Sequence, residues 1–177
     1  MMRKLWLRVL ATLGVGAALM LSWWWKIDAA REPTAIPEAS LGQTIQLGRV
    51  QITPLALELV EDENIVMTAE VLNVTGTTQV GVFSTSPNPP QLVLGGEVLP
   101  APEVSLLRDD ALLFQLQPRL PEKVSLTWSA PPGWTPEQVE LRFEKQAFKL
   151  VDNLFGQASW LGYSPAARIY AVPQVAP

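Results

Sequence analysis

The feature that most constrains this chain is an uncharged, apolar run over residues 9–25, which ends in three consecutive tryptophans. As an α-helix rising about 1.5 Å per residue, a run of this length covers roughly 25 Å, close to the minimum for crossing a bilayer core. The run follows a basic head that contains Arg3, Lys4 and Arg8. We therefore expect a cytoplasmic N-terminus and one transmembrane signal-anchor helix within residues 1–30.

The boundaries of this span are expected at tryptophan and basic residues, namely Arg8, Trp23, Trp24, Trp25 and Lys26. An indole ring buries its apolar surface at the membrane interface while its N–H stays hydrated. The N-terminal flank carries three basic residues and the far flank carries two, with one acid, which favours a cytoplasmic N-terminus. The sequence thus predicts a single-pass protein of the bacterial inner membrane whose C-terminal domain is periplasmic or otherwise extracytoplasmic.

A cleaved secretory signal peptide is the alternative for this segment. Signal peptidase sites have small residues at positions −3 and −1. Cleavage after Ala29 or Ala30 would place Ile27 or Asp28 at position −3. Three bulky tryptophans also precede the site, so the sequence favours the uncleaved anchor.

Small residues within the span stand four positions apart in two pairs, Thr12 with Gly16 and Gly14 with Ala18. This spacing lets two membrane helices approach each other closely. Small residues are also common in simple anchors. The segment could therefore associate with another membrane helix, or it could serve only to target the protein to the membrane.

Composition excludes most chemistry for the rest of the chain. Residues 1–31 carry a net charge of +4 and the whole chain −4, so the remainder carries −8 and is a poor nucleic-acid binder. Cysteine and histidine are both absent. Disulfides, the usual zinc, haem and iron–sulfur ligands and Ser-His-Asp triads are therefore excluded. We expect no catalytic residue, no cofactor and no metal, and a protein that is not an enzyme.

Hydrophobic periodicity downstream of residue 41 is that of strands. Val124, Leu126 and Trp128 alternate strictly with polar residues, and residues 139–143 do the same. Such alternation is typical of antiparallel sheets with one buried face. Gly95-Gly96 predicts a two-residue hairpin. We expect a tether over residues 31–41, which contains prolines, and one all-β antiparallel sandwich of seven or eight strands over residues 42–177, with a strand over residues 111–117 and a loop over residues 154–163.

Three stretches of this region resemble bacterial telokin-like, immunoglobulin-fold domains. They are Leu41-Gly42 with Gly48, then Leu72-Asn73-Val74-Thr75, and then Leu116-Gln117-Pro118 followed by the apolar strand that ends at Pro131. Arg119 departs from the pattern, because a glycine is usual there. The resemblance spans residues 41–150 and implies a secreted or membrane-tethered accessory domain with an immunoglobulin-like fold. It implies no catalytic residues.

The aromatic stretch over residues 145–163 is the candidate surface for binding a partner. Its anchor residues are Phe148, Leu154, Phe155, Trp160 and Tyr163. Tryptophan and tyrosine commonly anchor protein interfaces, and loops commonly carry binding residues. The alternative is that this stretch folds back and plugs one end of the sandwich.

Two acidic clusters, Glu61-Asp62-Glu63 and Asp109-Asp110, are the remaining candidates for chemistry. Loops at one end of a sandwich could bring them together around Ca²⁺, which takes 6–8 oxygen ligands. Neither cluster has the alternating spacing of a calcium loop, and solvated hairpin turns explain both.

These observations lead to one expected function and one alternative. We expect a non-catalytic membrane protein whose extracytoplasmic sandwich is an accessory or assembly subunit that binds envelope protein partners. The alternative is a tethered or secreted module that binds a small molecule, an ion or a glycan.

Overall fold

The computed structural model describes residues 14–27, 35–61, 63–84, 86–150 and 158–176. Contacts divide the chain into two compact units, Met1–Ala35 and Ile36–Pro177. In the first unit, residues 14–27 form an α-helix, α1. In the part of the chain that the structure describes, no helix is both long enough and apolar enough to cross a membrane. The start of the predicted span, with Arg8 and Thr12, lies outside the described residues.

The described residues of the second unit form twelve strands. In chain order the strands are β1 (Ile45–Gln46), β2 (Val50–Val60), β3 (Asn64–Asn73), β4 (Gln79–Val80), β5 (Gln91–Leu94), β6 (Glu97–Val98), β7 (Glu103–Leu106), β8 (Gln115–Leu116), β9 (Pro121–Ser129), β10 (Val139–Lys149), β11 (Ser159–Ala171) and β12 (Gln174–Val175).

The strands form two main sheets. The order β1-β2-β3-β9-β7 makes one sheet, to which β12 adds by pairing with β2. The order β11-β10-β5-β6 makes the other, and β4 and β8 form a separate two-stranded ribbon. Pairing is antiparallel throughout except between β12 and β2. The fold is therefore a mostly antiparallel β-sandwich, as the alternation of apolar and polar residues predicted.

Alternate residues of the strands meet in one hydrophobic core. Leu126 and Trp128 of β9 are buried together with Leu141 and Phe143 of β10, and the polar residues between them are more exposed. Burying an aliphatic or aromatic side chain contributes about 1.5–3 kcal/mol each. The predicted hairpin at Gly95-Gly96 is confirmed, since it joins β5 to β6.

A buried polar corner closes the end of β3, and we call it the Asn73 corner. Asn73 Nδ2 donates to the carbonyl oxygens of Thr77 at 2.8 Å and Leu116 at 3.0 Å. Asn73 Oδ1 accepts from the backbone N–H of Thr75 at 2.9 Å and from its hydroxyl at 2.7 Å. The amide of Arg119 donates to the carbonyl of Asn73. Because every polar atom of the side chain is bonded, this corner joins β3, β8 and the start of β9 at little desolvation cost.

The predicted loop over residues 154–163 is wrong from Ser159 onward, because β11 begins there and pairs with β10. Register shifts interrupt this pairing between Phe143 and Glu144 and between Gln146 and Phe148. Each bulge inserts a residue in β11 and exchanges its two faces, so the sequence loses its period of two. Residues 154–157 lie outside the described residues.

The predicted strand over residues 111–117 is also too long. Only Gln115–Leu116 is a strand, β8. Before it, Leu112 makes a single bridge to Ser105, and the amide of Leu113 donates to Val104. The chain then leaves β7 and crosses to β4. The apolar run over residues 111–117 therefore pairs with two different strands.

Candidate functional site

The outer half of the β10–β11 hairpin, beyond the first bulge, carries the predicted aromatic residues, and we call it the hairpin end. Phe148 and Trp160 are cross-strand partners whose ring centroids lie 5.1 Å apart with an interplanar angle of 54°. A pair in this geometry contributes about 0.5–1.5 kcal/mol beyond its buried area. Phe148 is 51% exposed. The predicted residues Leu154 and Phe155 lie outside the described residues.

Trp160 rests on the turn between β1 and β2. The Arg49 guanidinium lies over the indole, 5.0 Å from the ring centroid. Gly48 has φ +99°, and a Cβ there would clash with the carbonyl oxygen of Gln146. The Gln146 amide in turn donates to Leu47 at 3.1 Å. The half-buried Trp160 therefore has a structural task, which is to hold the hairpin against this turn, and Phe148 presents the more exposed ring.

Tyr163, the third described residue of the predicted set, also turns inward. Its hydroxyl donates to Ser86 Oγ at 3.3 Å, and Ser86 donates to Gln146 Oε1 at 3.0 Å. Beside this chain, Asn88 Nδ2 donates to Glu144 Oε2 at 2.8 Å. These hydrogen bonds connect the hairpin to residues 86–88. They hold the base of the hairpin end in place.

The inner half of the hairpin is held by an ionic group. Arg142 and Arg168 stand directly opposite each other on β10 and β11. Glu140 accepts from Arg142 at 2.8 Å and lies 3.1 Å from Arg168 Nε. The hydrogen bond from Arg142, followed by the positive charges of both arginines, lowers the pKa of Glu140 against the opposing effect of burial. The same bond raises the pKa of Arg142. The carboxylate thus offsets the repulsion between two facing cations.

An apolar groove that the sequence did not reveal lies between the β4–β8 ribbon and β7. Val80, Leu112 and Phe114 stand exposed on its rim, with Phe114 73% exposed. Buried Phe83 contributes to its wall, and its volume is about 320 Å³. We call it the Phe114 groove. The signal in the sequence was the triplet Leu112-Leu113-Phe114, because consecutive apolar residues in an extended chain cannot all face one core.

A polar cavity of about 530 Å³ lies on the outer face of β7 and β9. Ser105 Oγ lies 2.8 Å from Ser125 Oγ and 3.2 Å from Asp110 Oδ1 within it. Glu61 and Glu63 line a different cavity. Within the described residues, Asp110 lines the first cavity and these glutamates line the second, and no group of three side chains suited to a metal ion is present.

The described membrane-segment residues all lie on α1. Trp23, Trp24 and Trp25 are more than two-thirds exposed within this unit, and Lys26 is exposed as well. Nothing lies within 4 Å of where a Cβ on Gly14 or Gly16 would be. Ala18, the fourth of the small residues, is also exposed. The small-residue spacing is thus presented on the surface of the helix.

Comparison with known proteins gives a likeness in structure and none in sequence. No protein-family model matches the chain, and no curated protein matches it. An uncharacterized β-sandwich protein from Clostridium difficile 630 is similar in structure, with 10% sequence identity and a TM-score of 0.46. The alignment covers 78% of this chain and 97% of that one.

Proposed function

We propose that this chain is a single-pass membrane protein whose β-sandwich is a non-catalytic accessory or assembly subunit that binds protein partners in the envelope. The observation that supports this proposal is the Phe114 groove. It combines exposed aromatic and aliphatic side chains on the rim with a buried aromatic in the wall. Exposed apolar patches of this kind mark protein interfaces.

The membrane part of the proposal rests on the composition of the N-terminal segment. A helix that is apolar around its whole circumference needs an apolar environment on all sides. Leu19, Met20 and Leu21 point in different directions on α1, and each is more than 60% exposed. We place the N-terminus in the cytoplasm and the sandwich outside the bacterial inner membrane, as an immunoglobulin-like domain of the telokin-like kind.

The chemistry of the groove defines the partner. Its lining is apolar except for Ser84 and Glu103, and Glu103 is exposed. An apolar side chain on the partner would fill the space beside Phe114. A neighbouring lysine or arginine on the partner would pair with Glu103. This ion pair would fix the orientation in which the partner binds. The partner is therefore a protein segment with an apolar anchor next to a basic residue.

The test is a cross-linked pull-down of the tagged full chain from native membranes. Phe114→Ser is expected to lower partner recovery at least tenfold, since truncating an interface anchor costs about 2 kcal/mol or more. Phe148→Ser removes a similarly exposed phenylalanine away from the groove and serves as the control. Equal recovery of the same partner by wild type and Phe114→Ser would refute the assignment of the groove.

The polar cavity on β7 and β9 favours a second candidate function, the binding of a polar small molecule or glycan. Hydroxyl groups of Ser105, Ser125 and Thr127 and the carboxylates of Glu103 and Asp110 line it. A sugar that binds there would raise the melting temperature of wild type and not of Ser105→Val. Absence of any shift across a panel of sugars and polyols would remove this candidate.

A further inference from the structure

The Phe114 groove is continuous with the polar cavity on β7 and β9, because Glu103 lines both. Glu103 is the register partner of Thr127 on β9. Thr127 alternates with the buried residues Leu126 and Trp128. Residues directly opposite each other in an antiparallel pair point to the same face of the sheet. The Glu103 side chain therefore stands on the outer face, at the boundary between the apolar groove and the polar cavity.

A second pair of shared residues extends this connection. Asn64 on β3 and Ser129 on β9 are register partners, and both line the polar cavity and a further cavity beside the β2–β3 turn. The further cavity has a volume of about 430 Å³, and Glu61 and Glu63 contribute to its wall. The groove and the two cavities thus form one continuous depression across β7, β9 and β3, which we call the outer path.

The outer path is acidic, and the described residues that line it include no base. Its acids are Glu61, Glu63, Glu103 and Asp110. The sequence explains this charge, because no lysine or arginine occurs over residues 50–107 or over residues 124–141. These two stretches supply most of the residues that line the path. A cationic ligand is therefore attracted along its whole length.

Two basic residues near the polar cavity have acidic neighbours of their own. They are Arg108, which lies 2.9 Å from Glu122 and 3.3 Å from Asp109, and Lys123, which stands opposite Glu70. Opposite charges on neighbouring residues offset each other. Within the described residues, no basic side chain forms an ion pair with Glu63 or Glu103, and both glutamates are exposed. Their carboxylates are therefore available to a ligand.

The spacing along the path defines the length of a segment that would follow it. From Glu103 to Asn64 the path crosses from β7 over β9 to β3 and advances along β9 from Thr127 to Ser129. With strands about 4.8 Å apart and about 3.3 Å per residue, this distance is about 12 Å, which an extended chain covers in about four residues. Glu63 directly precedes Asn64. Two basic residues about four positions apart on an extended segment would thus face both carboxylates.

We propose that the partner binds the outer path as an extended basic segment, with an apolar side chain in the Phe114 groove, one lysine or arginine at Glu103 and a second beside Glu63. This inference rests on the proposed partner site in the groove and extends it onto the outer face of the sheet. Charge complementarity selects this occupant, because an acidic path attracts basic segments and repels acidic ones. The hydroxyl groups of Thr127 and Ser129, which line the path between the two carboxylates, offer hydrogen bonds to the backbone of the segment.

Selection from a phage-displayed library of random peptides on the full chain in detergent tests this proposal. Peptides of about twelve residues are longer than the path at about 3.3 Å per residue. We expect enrichment of an aromatic or aliphatic residue beside a lysine or arginine, with a second basic residue about four positions from the first. An enriched peptide is then synthesised with a fluorescent label, and anisotropy gives its dissociation constant for each variant of the full chain.

Charge reversals on the path are compared with one away from it. Phe114→Ser and Glu103→Lys are each expected to weaken binding of the peptide about tenfold or more, and Glu63→Lys several-fold. Glu97→Lys is the matched control, because Glu97 is an exposed glutamate on β6, in the other sheet. It changes the net charge by the same amount and should change binding less than about twofold, since salt screens distant charges. Melting temperatures check that every variant is folded.

The other outcomes contradict the proposal in distinguishable ways. Equal weakening by Glu103→Lys and Glu97→Lys would show a general attraction between charges, which overturns the outer path and leaves the Phe114 groove as the partner site. Enriched peptides that bind Phe114→Ser as tightly as wild type would overturn the path and the groove together, as would a selection without enrichment. A sugar or polyol that raises the melting temperature without displacing the peptide would assign the polar cavity to another ligand and refute its place in the path.

Discussion

The Asn73 corner and the hairpin end lie at the same end of the sandwich but differ in burial and in hydrogen bonding. Asn73 is fully buried and all its side-chain polar atoms are bonded. At the hairpin end Phe148 is exposed, and within the described residues Arg49 Nε is buried without a hydrogen-bond partner. The first arrangement maximises stability. The second keeps apolar surface in solvent, so stability alone does not explain it.

Among the variants considered, Asn73→Ala should destabilise the protein most. It removes the bonds of Asn73 to the carbonyls of Thr77 and Leu116 and to the amide and hydroxyl of Thr75, while the Thr77 carbonyl keeps its bond from the Thr75 hydroxyl. We expect a loss of about 3 kcal/mol in the free energy of unfolding, and chemical denaturation measures it. Asn88→Ala, which removes one hydrogen bond to Glu144, is the control. Similar small losses for both variants would show that the corner is not the stronger of the two regions.

Gly48→Ala tests how closely the hairpin rests on the β1–β2 turn. A Cβ at φ +99° is strained and would push against the carbonyl of Gln146. We expect a loss of about 2 kcal/mol. Gly42→Ala is the matched control, because Gly42 also has a positive φ, +83°, and nothing lies within 4 Å of the Cβ it would add. A Gly48→Ala protein as stable as Gly42→Ala would mean that the hairpin does not press on the turn.

Glu140→Gln separates the inner half of the hairpin from the aromatic outer half. It removes the carboxylate between Arg142 and Arg168, and we expect a loss of about 1 kcal/mol at neutral pH. Because folding lowers the pKa of Glu140, its contribution is complete above its unfolded pKa of about 4.3 and disappears as the pH falls through the lower folded value. The melting temperatures of wild type and variant should therefore converge as the pH is lowered from about 5. A difference that stays constant over that range would contradict the pKa shift.

The smallest expected effect on stability is that of Phe148→Ser. It removes the ring that contacts Trp160, and we expect a loss of about 0.5 kcal/mol. Amide hydrogen exchange should accelerate in the outer half of the hairpin and stay unchanged at the Asn73 corner. Faster exchange throughout the sandwich would show that Phe148 belongs to the common core, and the contrast between the two regions would disappear.

Strict alternation made the fold predictable where a strand keeps one partner on each side. Val124, Leu126 and Trp128 on β9 are an example, and so is the Gly95-Gly96 turn. Prediction failed at Ser159 to Tyr163, because bulges depend on the pairing of two strands and leave no pattern in one of them. Phe148 and Trp160 could be named from composition, but the tilted contact between their rings could not be predicted. The Phe114 groove was missed because it depends on where β4 and β8 meet, and their paired residues Gln79 and Leu116 are 37 positions apart in the sequence.

The two bulges of β11 have a consequence for crowding. In the described residues β11 is the outermost strand of its sheet and is long enough to recruit a strand from a neighbouring molecule. The bulges break its register, Pro165 removes a donor, and residues 37–39 cover part of the edge. If the proposed membrane anchor confines copies of the protein side by side in two dimensions, they would meet edge to edge far more often than in dilute solution. The irregular outer strand would then disfavour pairing between neighbouring copies.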